Sequence, residues 1–244
     1  MIALDFTWPD VETSSDAYAG RFSGDAGAYL LKVQNQGVEA LLQKGQGTAP
    51  LRSALDVGGG HGQLVETLLR NAGRVTVLGS DDCCAKRIAH GPFGNQVEFR
   101  QGELLASPFD DCSFDLVTSI RLLAHMTHWH VLIAELCRVA RRHVIVDYPT
   151  LAGLNALALP AYPLKRAIEG DTRTYRSFWP MQINRAFARH GFRPAGTIKQ
   201  FSIPMGVHRL AGKRVAPVEE ALRVTGITHL IGNPVLARFD RVSA

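Results

Sequence analysis

Between residues 50 and 150 the apolar positions alternate between two rhythms. Arg52 to Val57 is a short apolar run that ends in three consecutive glycines, and Gln63 to Asn71 then sets Leu64, Val65, Leu68 and Leu69 at helical spacing. The order is strand, loop, helix. The same order follows again: Arg74 to Gly79 predicts a second strand, Cys83 to His90 a helix, Gln96 to Gln101 a third strand and Phe114 to Ser119 a fourth. A helix from about His128 to Ala140 leads into a fifth strand, His143 to Asp147. Strands that alternate with helices imply a parallel sheet covered on both faces, because parallel neighbours need long crossover connections.

The flanks read differently. Lys44 to Pro50 is rich in Gly and Pro and divides an N-terminal helical region from the alternating block. Beyond Pro149 the pattern predicts helices over Leu151 to Ile168 and Met181 to His190, a strand over Gly196 to Ile203, a helix over Pro217 to Thr225 and a last strand over Pro234 to Val242. Two strands this close together at the end of a parallel sheet suit an antiparallel edge pair. The proline at 204 points to an edge or a bulge in the first of them.

Composition narrows the class. With 244 residues, 46% hydrophobic and 20% charged, the chain has apolar material for one sizeable core, which argues against disorder and against a membrane bundle. One domain over 1–244 is expected, with a helical cap over 1–50, a cofactor-binding half over 51–150 and lid helices with the last strands over 151–244. No apolar run reaches spanning length, and Met1 to Asp5 does not resemble a secretory signal. The cysteines at 83, 84, 112 and 137 show no metal spacing, so reduced thiols in a cytoplasmic protein are expected. Charge is uneven: residues 1–150 hold 13 Lys and Arg against 17 Asp and Glu, whereas 151–244 hold 14 against 5. The basic part could attract an anionic substrate, a membrane surface or nucleic acid, or merely solubilise the fold.

The informative stretch is Leu55-Asp56-Val57-Gly58-Gly59-Gly60-His61-Gly62. Glycines directly after a buried strand let a ligand approach the backbone at the carboxyl edge of the sheet. The dinucleotide fingerprint needs a glycine five positions after its first; from Gly58 that position is Gln63, and from Gly60 it is Val65. A Walker loop needs Gly-Lys-Ser/Thr, which is missing. What stands here is an acidic residue and three glycines at 56, 58, 60 and 62.

This segment resembles the first motif of class I S-adenosylmethionine-dependent methyltransferases, in which the loop packs against the amino-acid portion of the cofactor. Gln101-Gly102-Glu103-Leu104-Leu105 is similar to the family's Gly-Asp segment beside the adenine, with Glu103 in place of Asp and backbone contacts from Gly102 and Leu104. Ser107 to Ser119 resembles its fourth-strand motif, with Phe114 in the core, Asp115 orienting the glycine loop or starting the strand, and Ser119 beside the cofactor. The resemblance implies a doubly wound, Rossmann-like, seven-stranded, mostly parallel α/β sheet, and S-adenosylmethionine as cofactor. It gives the ribose hydroxyls to a carboxylate after the second strand, Asp81 before Asp82; Asp82 is either a cofactor contact of this kind or a cap of the helix that follows. Tyr18, in Ser14 to Phe22, is either the contact of a segment that closes over the cofactor or an aromatic anchor on the core.

Chemistry follows from the cofactor. A sulfonium methyl needs a nucleophile held in line, and a hydroxyl nucleophile is helped by a neutral histidine. His125, a few residues after the fourth strand, is the candidate base, with Asp147 and Tyr148 as other pocket residues. His128 and His130 read as surface or capping residues that do not face each other. Neither an Asn-Pro-Pro-Tyr-like nor a Pro-Cys segment follows the fourth strand, and basic residues are not interleaved with stacking aromatics except at Arg173 to Trp179; both features argue against nucleic acid. Leu151 to Leu164 reads as a substrate wall, a core helix or a peripheral membrane contact. His208 and Arg209 line a pocket or sit on a surface edge. The expected reaction is methylation of a small aromatic or lipid-like molecule with an anionic group, at oxygen; the alternatives are an RNA or protein methyltransferase and a non-catalytic cofactor-binding protein.

Overall fold

The computed structural model describes residues 9–20, 22–44, 49–59, 62–152, 175–204, 207–208 and 214–242. Short helices α1 (Pro9–Thr13) and α2 (Asp16–Gly20) lead into the long α3 (Gly24–Gln43), followed by β1 (Leu51–Val57), α4 (Val65–Asn71) and β2 (Ala72–Gly79). A 3-10 turn (Asp82–Cys84) and α5 (Ala85–Ala89) precede β3 (Val97–Gln101) and β4 (Phe114–Ser119). After a second turn (Leu123–His125) come α6 (Trp129–Val139), β5 (Ala140–Tyr148), α7 (Pro180–Ala188), β6 (Phe192–Phe201), α8 (Ala216–Val224), α9 (Ile227–Ile231) and β7 (Asn233–Arg241).

The seven strands form one sheet in the order β3-β2-β1-β4-β5-β7-β6. The first five are parallel, and β7 runs antiparallel between β5 and β6, with Asp147 opposite Leu236 and Phe201 opposite Asn233. The expected antiparallel pair is present, with the last strand of the chain on the inside. Several bounds move. β6 begins at Phe192 rather than Gly196 and ends before Pro204; its irregularity lies between Pro194 and Gly196. The segment read as one helix from Cys83 splits into a 3-10 turn and a five-residue helix, and α9 was not expected at all.

Side-chain alternation divides the core into two layers. Leu55, Val57, Val117, Val144 and Val146 face α6 and α7, where Leu132, Ile133, Leu136, Ile183 and Phe187 meet them. Ala54, Leu116, Ile145 and Leu236 face Val38, Leu41, Leu42 and Leu68 of α3 and α4. Arg238, 1% exposed, fixes α3 over the sheet: its Nη1 donates to the carbonyls of Leu41 and Lys44, both at 2.8 Å, while Nε donates to Asp240 at 2.7 Å. A buried guanidinium thus satisfies carbonyls that the helix end leaves open.

Chain order reverses between β1 and β4, so the loops that leave these neighbouring strands diverge. A crevice at their carboxyl ends follows from that topology. Among the described residues no helix is long and apolar enough to cross a membrane.

Candidate functional site

The crevice is built on the glycine loop. Gly58 leaves β1 at φ 73°, where L side chains are disfavoured, and its N–H donates to the Leu78 carbonyl at 2.8 Å. A Cβ on Gly59 would lie 1.9 Å from Asp56 Oδ2, so the backbone there rests directly on the carboxylate. The Thr118 hydroxyl donates to Asp56 Oδ1 at 2.7 Å. Burial pushes the Asp56 carboxyl up to about 7, with the Thr118 bond pulling the other way. Gly62 turns back, its N–H donating to the Gly59 carbonyl at 2.8 Å. Gly60 and His61 lie outside the described residues.

Across from the loop, Tyr18, Gln34, Gln63, Ile120 and Arg121 complete the cleft. Arg121, named in the sequence only as part of the segment after the fourth strand, organises this wall. It holds φ 63°, and its N–H donates to Asp147 Oδ1 at 2.6 Å. Its Nη1 donates to Gln63 Oε1 at 2.8 Å, and its guanidinium lies 3.8 Å over the Phe22 ring. Burial lowers the Arg121 pKa, against the opposing pull of Tyr18 and Asp147. Burial likewise raises the Asp147 carboxyl to about 6, although the Arg121 N–H favours its ionised form.

The N-terminal helices roof this edge. Asp10, which belongs to no motif, is fully buried and accepts from the Ser80 N–H at 2.7 Å and the Ser80 hydroxyl at 2.6 Å, tying α1 to the tip of β2. Tyr18 is 8% exposed, lines the cleft and meets the Phe22 ring at 5.5 Å.

The other expected site residues divide. Asp81 and Asp82 are both exposed beyond β2, and it is Asp81, not Asp82, that caps the turn: its Oδ1 accepts from the Cys83 N–H at 2.8 Å. This bond lowers the Asp81 pKa. Gly102 donates to the Gly79 carbonyl at 3.0 Å and has Pro108 against it, Glu103 is exposed, and the Leu104 side chain is core. Ser119 is fully buried on the face opposite Asp56, and its hydroxyl donates to the Val57 carbonyl at 3.2 Å. Its side chain therefore holds β4 to β1 rather than lining the cleft. Asp115 sits at the far end of the strand, accepting from the Arg52 N–H at 2.8 Å and from Arg141, which makes it a strand starter rather than a support of the glycine loop.

His125 ends the turn after β4 and faces the exposed Tyr175 with ring centroids 5.6 Å apart. It is absent from the lining of the described cleft. Tyr148 is 1% exposed and packs on Phe178, so it belongs to the core. Contrary to expectation, His128 and His130 do face each other, edge to face at 6.4 Å. His208 is buried rather than on a surface edge, with Nε2 3.3 Å from Glu219 Oε2. Arg209, most of Leu151 to Ile168 and residues 173–174 lie outside the described residues, and with them the expected lid and membrane-contact segment. Among the described residues no cluster of His, Cys, Asp or Glu is arranged to hold a metal.

The comparisons agree with this geometry. No curated protein matches the chain. Magnesium protoporphyrin IX methyltransferase from Synechocystis, solved with S-adenosylhomocysteine, superposes with a TM-score of 0.64 at 16% identity over 95% of this chain and 97% of its own. The Haloferax volcanii complex of the Trm112 methyltransferase activator with a methyltransferase gives 0.63 at 15% identity over 98% and 100%. A geranyl diphosphate methyltransferase gives 0.60 at 18% over 86% and 78%. Residues 55–146, from the glycine strand through β5, match the methyltransferase-domain family. With that match laid on this strand order and this glycine loop, residues 55–146 carry a methyltransferase domain, on the seven-stranded α/β fold that the resemblance to class I S-adenosylmethionine-dependent methyltransferases implies.

Proposed function

We propose that the chain methylates an oxygen of a small acceptor with an aromatic or lipid-like body and an anionic group, acting in the cytoplasm as a single domain. The observation that carries the small-molecule reading is the roof: Asp10 on Ser80, and Tyr18 and Phe22 against Arg121, close the N-terminal helices over the cofactor edge. Arg176, exposed and joined by its N–H to the Ala124 carbonyl at 2.8 Å, supplies positive charge beside His125 for an anionic group.

The residues present fit the cofactor, since the wall formed by Gly58 and Gly59 has no room for side chains. The glycine loop would hold the amino-acid portion, Asp81 the ribose hydroxyls, and Gly102 to Leu104 the adenine edge. S-Adenosylmethionine supplies a methyl group made electrophilic by its sulfonium; alignment and exclusion of water fall to the protein. His125 would take the proton of the acceptor hydroxyl on a ring nitrogen as the methyl carbon leaves the sulfonium sulfur for that oxygen, with S-adenosylhomocysteine as the leaving group.

Titration calorimetry with S-adenosylmethionine and S-adenosylhomocysteine, with NAD as control, tests the cofactor. Label transfer from methyl-labelled cofactor to anionic aromatic and lipid-like alcohols or acids tests the acceptor, with a methyl ether or ester as the expected product. Label found only on RNA or protein would overturn the acceptor assignment, and an unimpaired His125→Ala variant would remove the base.

A further inference from the structure

The apolar stripe by which α3 packs on the sheet runs through Leu30, Val38 and Leu41, and it contains one amide, Gln34. Gln34 is 1% exposed and lines the cofactor cleft opposite Gly58 and Gly59. Neither its Nε2 nor its Oε1 has a hydrogen-bond partner among the described residues. The neighbouring polar groups are already committed, Gln63 to Arg121 and Asp56 to Thr118. An amide buried with both ends unpaired costs free energy that a ligand can return, provided the ligand offers a donor and an acceptor side by side.

We infer that Gln34 reads the α-amino-acid end of the cofactor, its Oε1 accepting from the α-ammonium and its Nε2 donating to the α-carboxylate; this rests on the cofactor assignment above. The location selects that end. The cleft Gln34 lines is walled by the glycine loop and Arg121, whereas Asp81 and Gly102, at the tips of β2 and β3, are not part of it. Arg121 offers donors alone, which suit the carboxylate, and Asp56 has one oxygen on Thr118 and the other beneath Gly59. The Gln34 carbonyl is therefore an uncommitted side-chain acceptor on this wall for an ammonium group.

The test is calorimetry on the full chain with S-adenosylhomocysteine and with methylthioadenosine, which shares the adenosine and lacks the amino-acid end. Gln34→Leu should weaken S-adenosylhomocysteine about tenfold or more while methylthioadenosine stays within about twofold. The ligand-free variant should melt no lower than wild type, because an unpaired buried amide has been removed. Gln34→Met, closer in length, gives the same reading should Leu fail to fold. Unchanged S-adenosylhomocysteine affinity, or equal loss of both ligands, overturns the inference and leaves the cofactor assignment standing. A folded wild type that binds neither ligand overturns both.

Discussion

Arg121 and Asp147 join the cofactor ends of β4 and β5: the Arg121 N–H donates to Asp147 Oδ1 at 2.6 Å while the Arg121 backbone holds φ 63°. A left-handed residue with a full side chain costs about 1 to 2 kcal/mol and persists only where its surroundings hold it. Asp147→Ala removes that hold. The expected outcome is a loss of about 1 to 3 kcal/mol in urea unfolding, together with weaker cofactor binding as Arg121 leaves Gln63. Unchanged binding would detach Arg121 from the site.

Gly59 offers a sharper loss. A methyl group there would lie 1.9 Å from a carboxylate oxygen that Gly59 itself covers, so the loop must lift off Asp56. Gly59→Ala should abolish cofactor binding in calorimetry while circular dichroism still shows the α/β fold. Wild-type affinity would mean that the ligand does not use this loop.

The Asp56 carboxyl sets a pH dependence. Burial raises it from 3.8 to about 7. An acid that holds its proton more firmly when folded stabilises the fold below its unfolded value, and this contribution falls as the pH rises toward its folded value. Asp56→Asn has no such titration. Its unfolding free energy relative to wild type should therefore rise between about pH 4 and about pH 7, by a few kcal/mol at most. Asp147 changes in the same direction toward about 6, but it is present in both proteins and cancels. A flat difference would show that Asp56 is already ionised at low pH.

Asp81 has two roles that separate experimentally. It caps the turn through Cys83, and the proposed cofactor site gives its second oxygen to the ribose. Asp81→Ala should weaken S-adenosylmethionine about tenfold, whereas Asp81→Ser keeps a capping oxygen without the carboxylate and should show the same weakening with less loss of melting temperature. If only the melting temperature moves, Asp81 is a cap and nothing more.

Strands buried on both faces appear in the sequence as unbroken apolar runs, which is why β1 and β4 are found within a residue of their bounds. β6 is an edge strand with alternating exposure over Phe192–Phe201, so no apolar run marks its start. The short α9 follows Gly226 in a left-handed turn and is too brief to show a period. The glycine spacing makes the cofactor class legible, because a backbone that must touch a ligand restricts each position by itself.

The alternation of strands and helices, the glycine loop and the family resemblance are all legible in the order of residues alone. That Arg121 rather than Ser119 faces the cleft, that Asp10 fastens the roof and that Gln34 lies buried beside Gly58 and Gly59 emerges only once the chain is folded. Gln34 in an amphipathic helix looks like any other polar residue, and Arg121 like any loop cation. Their roles come from burial and from partners distant in sequence, Asp10 with Ser80 and Arg121 with Gln63, and such proximity exists only once the sheet has brought the strand ends together.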